Sequence, residues 1–241
     1  DTIFHKSATP LRSWFHAMFL MSSTRCGISA KQLERELGVT YKTAWRMFKQ
    51  IRSLMDEKAK PMSGHTEVDE TYIGGKRHGT RGRGAEGKTP VVGLVNRDAG
   101  QVINKVVMDV KTKTVLPIIW DNVPRDVQNT IHTDELASYN LVQKLGYNHR
   151  VVNHGKGQYA VGSNHVNTVE GFWSLVKRGI NGVYHAVSPK YLQTYFNEYG
   201  FRYNHRNSGI PMFVLLLARV SALAPVKVVP TFAIDSQIPL V

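Results

Sequence analysis

The chain has 241 residues, enough for one large domain or two modest ones around a well-buried core. Lys and Arg number 31 against 18 Asp and Glu, and the formal charge of +13 favours a polyanionic partner, although a basic protein that only resists aggregation shows the same excess. A single cysteine, Cys26, excludes an intrachain disulfide framework and a cysteine-based zinc site, and fits a reducing cytoplasm. The apolar stretches 14–21 and 210–229 are too short or too interrupted by charge and proline to span a bilayer, so no membrane partner is expected.

Residues 10–56 are predicted to be helical. Apolar residues between 11 and 19 recur at helical spacing, and Ser29 with Gln32 forms a capping box for a short helix over 30–37 that ends at Gly38. Thr40 caps a third helix that runs to about residue 55. This order is typical of a helix-turn-helix DNA-binding region, and an ordinary three-helix bundle with a solvated basic face is the alternative. The residues of the third helix expected to contact DNA are Lys42, Thr43, Arg46 and Lys49.

The pattern changes to strands after residue 60. Strands are predicted at 67–73, 89–96 and 101–109, then a helix at 113–120, a strand at 130–133, a helix at 137–145, a strand at 150–153 and helices at 167–178 and 188–206. This order predicts an α/β fold with a mixed sheet flanked by helices. Segment 74–88, with six glycines, is interpreted as a flexible loop that tracks a phosphate backbone or as a surface hairpin, and the two are compatible. Its basic residues are Lys76, Arg77, Arg81, Arg83 and Lys88.

Three acidic residues stand out by position. Asp69 lies inside an apolar strand, Asp134 ends a strand and Glu170 lies near the start of a helix. A carboxylate inside an apolar strand is costly unless it is paired or binds a metal, and all-oxygen sites suit Mg²⁺ or Mn²⁺. Two such ions can activate a nucleophile and stabilise the leaving oxygen at a phosphodiester. Each acid alone has a structural alternative, a turn cap or a helix-dipole partner, and the rivals in the same clusters are Glu67, Glu70 and Glu135.

The helix that carries Glu170 has two more candidate functional residues on the same face as that acid. Glu170, Trp173 and Lys177 share this face by the three-and-four spacing. This combination fits a DNA-facing surface with a metal ligand, an aromatic ring for a base and a cation for a phosphate. The alternative is a buried Trp and a solvated Lys, which give the same spacing. Trp173, Lys177 and the adjacent Arg178 are therefore predicted DNA contacts.

Several blocks of sequence resemble one known family. They are residues 2–7, 33–39 with 42–47, 67–75, 87–93, 152–154, 165–178 and 202–204, which together extend over nearly the whole chain. In these blocks the chain resembles the ISXO-like transposases of bacterial insertion sequences, a DDE group with an RNase H-like catalytic core. Asp69, Asp134 and Glu170 match the family's first, second and third acidic positions, and Lys177 matches a basic residue used against DNA phosphate.

The resemblance implies a function and a domain plan. The function is metal-dependent cleavage of double-stranded DNA at the ends of a mobile element and strand transfer into target DNA, by a homo-oligomer in a bacterial cytoplasm, on the nucleoid. The alternative is an inactive or truncated relic that only binds DNA. The plan is a DNA-binding region over 1–60, a catalytic domain over 61–218 and a tail of uncertain structure over 219–241. The family's usual N-terminal zinc ribbon has no counterpart in this sequence, so no zinc is expected in this chain.

Overall fold

The computed structural model describes residues 2–58, 60–74, 87–152 and 165–220. Four predicted DNA contacts, Lys76, Arg77, Arg81 and Arg83, lie outside these residues, as does nearly all of the predicted tail. Within the ranges described, no helix combines the length and the apolar character that crossing a bilayer requires.

The N-terminal part contains three helices in the predicted order. They are α1 (Leu11–Ser23), α2 (Ala30–Leu37) and α3 (Tyr41–Ser53). The turn between α2 and α3 depends on Gly38, which adopts the left-handed conformation at a φ of 61° that side chains disfavour. A short helix, a tight turn and a longer helix therefore follow one another as the sequence indicates.

Side-chain caps start both helices of this pair. The Ser29 hydroxyl accepts from the Gln32 amide at 3.1 Å, and the Thr40 hydroxyl accepts from the Thr43 amide at 3.3 Å. The predicted capping box forms only by half, because the Gln32 side chain donates to Glu36 instead of returning to the start of the helix.

A five-stranded mixed sheet follows, in the spatial order β3-β2-β1-β4-β5. β2 is antiparallel to both of its neighbours, whereas β1, β4 and β5 are parallel. This order and these directions are those of an RNase H-like fold, so the predicted fold class is confirmed. The strands are β1 (His65–Ile73), β2 (Thr89–Asn96), β3 (Gln101–Val106), β4 (Thr130–Thr133) and β5 (Asn148–Val151).

Helices cover both faces of the sheet. On β2, Val91 and Val95 face a core that includes residues of α5 and α6, whereas Val92 and Leu94 face a core that includes residues of α4. The strand is buried on both sides, which explains its continuous apolar sequence. The remaining helices are α4 (Thr112–Asn122), α5 (Asn167–Gly179), α6 (Leu192–Asn204) and α7 (Met212–Val220).

Several sequence predictions need correction. The strand predicted at 101–109 ends at Val106, and α7 was not predicted. The helix predicted at 137–145 is two 3₁₀ turns, Ala137–Tyr139 and Gln143–Leu145, because weaker helix formers at 138–140 and 142 interrupt the stronger ones and Tyr139 is held in the core. The predicted strand at 150–153 begins earlier, since its pairing with β4 starts at Asn148.

A third core joins the N-terminal helices to α6 and α7. At its edge the fully buried guanidinium of Arg52 on α3 donates to the Glu198 carboxylate of α6 at 2.7 Å, and it stacks on the Tyr195 ring at 3.4 Å. Arg202 binds the second oxygen of Glu198 at 2.9 Å. The division between residues 1–60 and 61–218 stays a prediction, and the helices on its two sides pack against each other.

Candidate active site

The parallel pairing of β1 and β4 brings two predicted acids together. Val68 pairs with Thr133, where β4 ends, so the next residue on each strand is an aspartate, Asp69 on β1 and Asp134 after β4. Ligand oxygens of Asp69, Asp134 and Glu70 all lie within 4.8 Å of one another. Three carboxylates therefore converge at the point where β1 continues beyond the end of its neighbour.

The Asp69 carboxylate is held by a tryptophan. Trp173 Nε1 donates to Asp69 Oδ2 at 2.9 Å, and the indole lies over Gly93, the residue that pairs with Asp69 across β1 and β2. A Cβ at Gly93 would lie 2.4 Å from two carbons of that ring, so only glycine leaves the indole room. The strand partner of Asp69 thus determines where its hydrogen-bond donor can lie.

Burial and nearby negative charge both act on Asp69. Desolvation first, then the carboxylates of Glu70 and Asp134, raise the pKa of Asp69 from 3.8 to about 7, against the opposing effect of the Trp173 hydrogen bond. The charged groups behind this shift are all carboxylates. A cation among them would relieve their mutual repulsion.

Glu70 and Asp134 are also fixed by hydrogen bonds. The buried Tyr139 hydroxyl donates to Glu70 Oε2 at 3.0 Å, and the backbone amide of Leu136 donates to Asp134 Oδ1 at 2.9 Å. Burial, followed by the charge of Glu70, raises the pKa of Tyr139, so this hydroxyl keeps its proton and remains a donor. These donors hold the two carboxylates before any ligand arrives.

Glu170 is placed differently from the two aspartates. It lies exposed in the first turn of α5, and it does not belong to the group of oxygens within 4.8 Å. Its helix nevertheless reaches the site, because Trp173, on the next turn, bonds to Asp69. The third acidic position therefore stays a prediction. Glu70, which the sequence indicated only as a rival, is the acid that joins the cluster.

The predicted DNA contacts that the structure describes differ in their exposure. Lys42 and Arg46 on α3 and Lys177 and Arg178 on α5 are exposed, while Lys88 is half-buried just before β2. Thr43 is bonded to the helix cap, Arg46 donates to the His5 carbonyl at 2.9 Å, and the Lys49 ammonium lies 5.0 Å from the centre of the Tyr191 ring. Trp173 is only 4% exposed and belongs to the core. Of the two interpretations of Trp173, the burial favours the buried ring, and its contact with DNA stays a prediction.

The donor set fits a hard divalent cation. Three carboxylates from β1 and from the residue after β4 offer oxygen ligands only, and Mg²⁺ and Mn²⁺ prefer such ligands.

The sequence is similar to a known transposase domain and to a protein of a transposable element. The profile of the ISXO2-like transposase domain matches residues 61–204. An uncharacterized protein in transposable element ISH50 of Halobacterium salinarum is 31% identical over 218 residues, which cover 83% of this chain and 72% of that protein.

Solved structures give weaker likenesses. The HTLV-2 integrase catalytic core domain in complex with magnesium aligns at a TM-score of 0.37 and 12% identity over 66% of this chain and 98% of its own. The catalytic core domain of BIV integrase aligns at 0.29 and 15% identity over 67% of this chain and 83% of its own. The fold assignment rests on the strand order instead of these scores. The profile match and the 31% identity to a transposable-element protein show that the chain belongs to the family of ISXO2-like transposases.

Proposed function

We propose that the chain is a DDE transposase, which cuts DNA at the ends of a mobile element and joins the cut ends to target DNA with the help of divalent metal. The observation that carries the proposal is the convergence of Asp69, Asp134 and Glu70 within 4.8 Å, inside the region that matches the transposase profile. The alternative function is that of a relic that binds DNA without cutting it.

The metal ligands in this proposal are Asp69 and Asp134, completed by Glu170 from α5, with Glu70 as an additional oxygen donor beside them. Bound Mg²⁺ or Mn²⁺, as one ion or a pair, would supply Lewis-acid activation of the phosphodiester and neutralise charge that develops on its oxygens. The protein's contribution is to hold the ligands. Trp173 orients Asp69, Tyr139 orients Glu70, and the Leu136 amide orients Asp134.

The DNA partner follows from charge and exposure. The chain carries a net charge of +13, and exposed cations lie on α3 and in the last turn of α5. Lys177 lies two turns beyond Glu170 on the same helix, so a phosphate contact there would place a DNA strand along α5 towards the acids. Because an element has two ends, we extend the proposal to a homo-oligomer on DNA, acting in the cytoplasm where the DNA is held.

The test separates cutting from binding. Asp134→Asn keeps the size of the side chain but removes one carboxylate, so we expect Mn²⁺-dependent nicking of a supercoiled plasmid carrying the coding region and its flanks to fall about 100-fold or more. DNA affinity, measured by fluorescence anisotropy on a duplex from the same flanks, should stay within about 2-fold, since the change removes no cation. Asp121→Asn is the matched control, because Asp121 is an exposed acid on α4.

Two outcomes would contradict the proposal. Wild-type nicking by the Asp134→Asn variant would remove Asp134 from the site. A wild-type chain that binds the duplex but does not nick DNA at any Mn²⁺ concentration would favour the binding-only relic.

A further inference from the structure

The helix that carries Glu170 has no cap of its own. Val166 occupies the N-cap position of α5 and makes no side-chain hydrogen bond to the helix. The first amides of a helix have no partner within it, so a buried helix start needs an acceptor from elsewhere.

Glu67 of β1 supplies that acceptor from a distant part of the sequence. Its fully buried carboxylate accepts from the Val169 amide at 2.8 Å and from the Thr168 hydroxyl at 2.7 Å. The negative charge also lies where the positive end of the helix dipole favours it. A strand residue therefore caps the helix.

Arg97 completes the arrangement. Its Nε donates to Glu67 Oε1 at 2.5 Å, and its terminal nitrogen donates to the carbonyl of His165, whose own Nδ1 lies 3.2 Å from the same Glu67 oxygen. A buried carboxylate needs such compensation. The segment 165–169 is thus bound to β1 and to the end of β2 immediately before Glu170.

A second contact joins the same strand and helix. Asp69, two residues after Glu67, bonds to Trp173, four residues after Val169. From Glu67 to Asp69 the strand advances about 6.6 Å, and from Val169 to Trp173 the helix advances about 6 Å. The two distances match when the strand and the helix run in the same direction. Contacts at both ends of one helical turn fix the helix along its axis and in rotation. Glu170 lies within that turn.

We propose that Glu67 is a positioning residue for the active site, which holds the first turn of α5 in the register that lets Glu170 reach the metal bound by Asp69 and Asp134. The inference rests on the proposed function and adds a residue to it. Glu67 acts through the helix, since its carboxylate is occupied by Arg97, Thr168 and Val169.

The test uses Glu67→Gln in the full chain. Both oxygens of the Glu67 carboxylate accept hydrogen bonds, whereas the Gln amide has one accepting oxygen and one donating nitrogen. At least one donor therefore loses its acceptor, while the side chain keeps its size. We expect hydrogen exchange of the Val169 amide to rise about 10-fold while amides in the middle of α5 stay protected. Mn²⁺ affinity measured by calorimetry should fall about 10- to 100-fold, as for other groups that orient ligands. For plasmid nicking, kcat should fall while KM for DNA stays unchanged.

Two further variants exclude a merely structural effect. Thr168→Val removes one donor to Glu67 and should shift exchange and Mn²⁺ affinity in the same direction by a smaller factor. Thr66→Val, on the neighbouring buried strand position, removes the hydrogen bond that Thr66 accepts from Asn96 and makes no change at α5. It should lower stability without altering Mn²⁺ affinity.

The outcomes separate this inference from the proposed function. If Asp134→Asn weakens Mn²⁺ binding but Glu67→Gln leaves both Mn²⁺ affinity and Val169 exchange at wild-type values, the positioning role is overturned and the proposed site survives. If neither variant changes Mn²⁺ binding, the proposed function itself fails, and the inference fails with it.

Discussion

Gly93→Ala is the smallest substitution expected to disturb the acidic site from outside it. The new Cβ would lie 2.4 Å from two carbons of the Trp173 indole, whereas ordinary contacts begin near 3.4 Å, so the ring must move about 1 Å. Its Nε1 now lies 2.9 Å from Asp69 Oδ2, and a displacement of that size takes the pair beyond hydrogen-bonding distance.

The cost of this substitution has three parts. Overpacking costs about 1–3 kcal/mol and loss of a hydrogen bond to a charged group about 1.5–3 kcal/mol, while replacing a strand glycine with alanine returns about 0.5–1 kcal/mol. We therefore expect the free energy of unfolding in urea to fall by about 2–4 kcal/mol. Mn²⁺ affinity should fall as well, because Asp69 loses the donor that orients it.

Gly171→Ala is the matched control. A Cβ at this exposed position on α5 meets nothing within 4 Å, so the same change should raise stability by about 0.5–1 kcal/mol. Trp173→Phe combined with Gly93→Ala should cost less than the two changes added together, since the smaller ring makes room for the methyl group. Strictly additive effects, or an unchanged stability for Gly93→Ala alone, would refute the packing argument.

Two further predictions concern charge. Because the folded pKa of Asp69 is raised from 3.8 to about 7, its contribution to the stability of the metal-free protein is fully present below about pH 3.8 and is lost as the pH rises through about 7. Urea unfolding at pH 5.5 and 8 should therefore show a fall in stability that Asp69→Asn reduces, and an equal fall in both proteins would contradict this reasoning. Arg52→Met should lower stability by about 3 kcal/mol, as expected when one partner of a buried ion pair is removed. A loss below about 1 kcal/mol would show that Arg202 and the Tyr184 hydroxyl together satisfy Glu198.

The sequence predicted the strands and helices of the site better than it predicted how they pack together. β2 and β4 were predicted with their observed bounds. β2 is a short apolar run that follows the glycine-rich segment, and β4 is a short β-branched stretch that ends just before Asp134. Their order in the sheet depends on pairings between distant residues, which local periodicity does not contain. The resemblance to a family implied an RNase H-like core, and the strand pairing in the structure gave the order.

Glu70 shows why one acid could not be selected from the sequence. Alternation along β1 directs Glu70 and Asp69 to opposite faces of the sheet, which argues against a shared site. The two carboxylates meet because β4 stops at Thr133, so that Asp134 lies beside the continuing strand and reaches oxygens from both faces. Only the register between β1 and β4 contains this information.

Trp173 shows a second limit of prediction from the sequence. Helical spacing places it with Glu170 and Lys177 but does not say whether that face meets solvent or the sheet. The deciding feature is Gly93, which leaves a gap in β2 that the indole fills. A glycine in a strand indicates close approach by another group, and this signal could have predicted a buried ring.

The ion pair between Arg52 and Glu198 limits which chimeras of this protein and its relatives can fold stably. The two residues lie 146 positions apart, one in the helical N-terminal part and one in α6, yet they share a fully buried contact. A chimera that joins another transposase's N-terminal region to this core must bring an arginine to the same place, or Glu198 keeps only one of its two arginines. Exchange of N-terminal helical regions within the family is therefore expected to succeed only between chains that carry both residues of this pair.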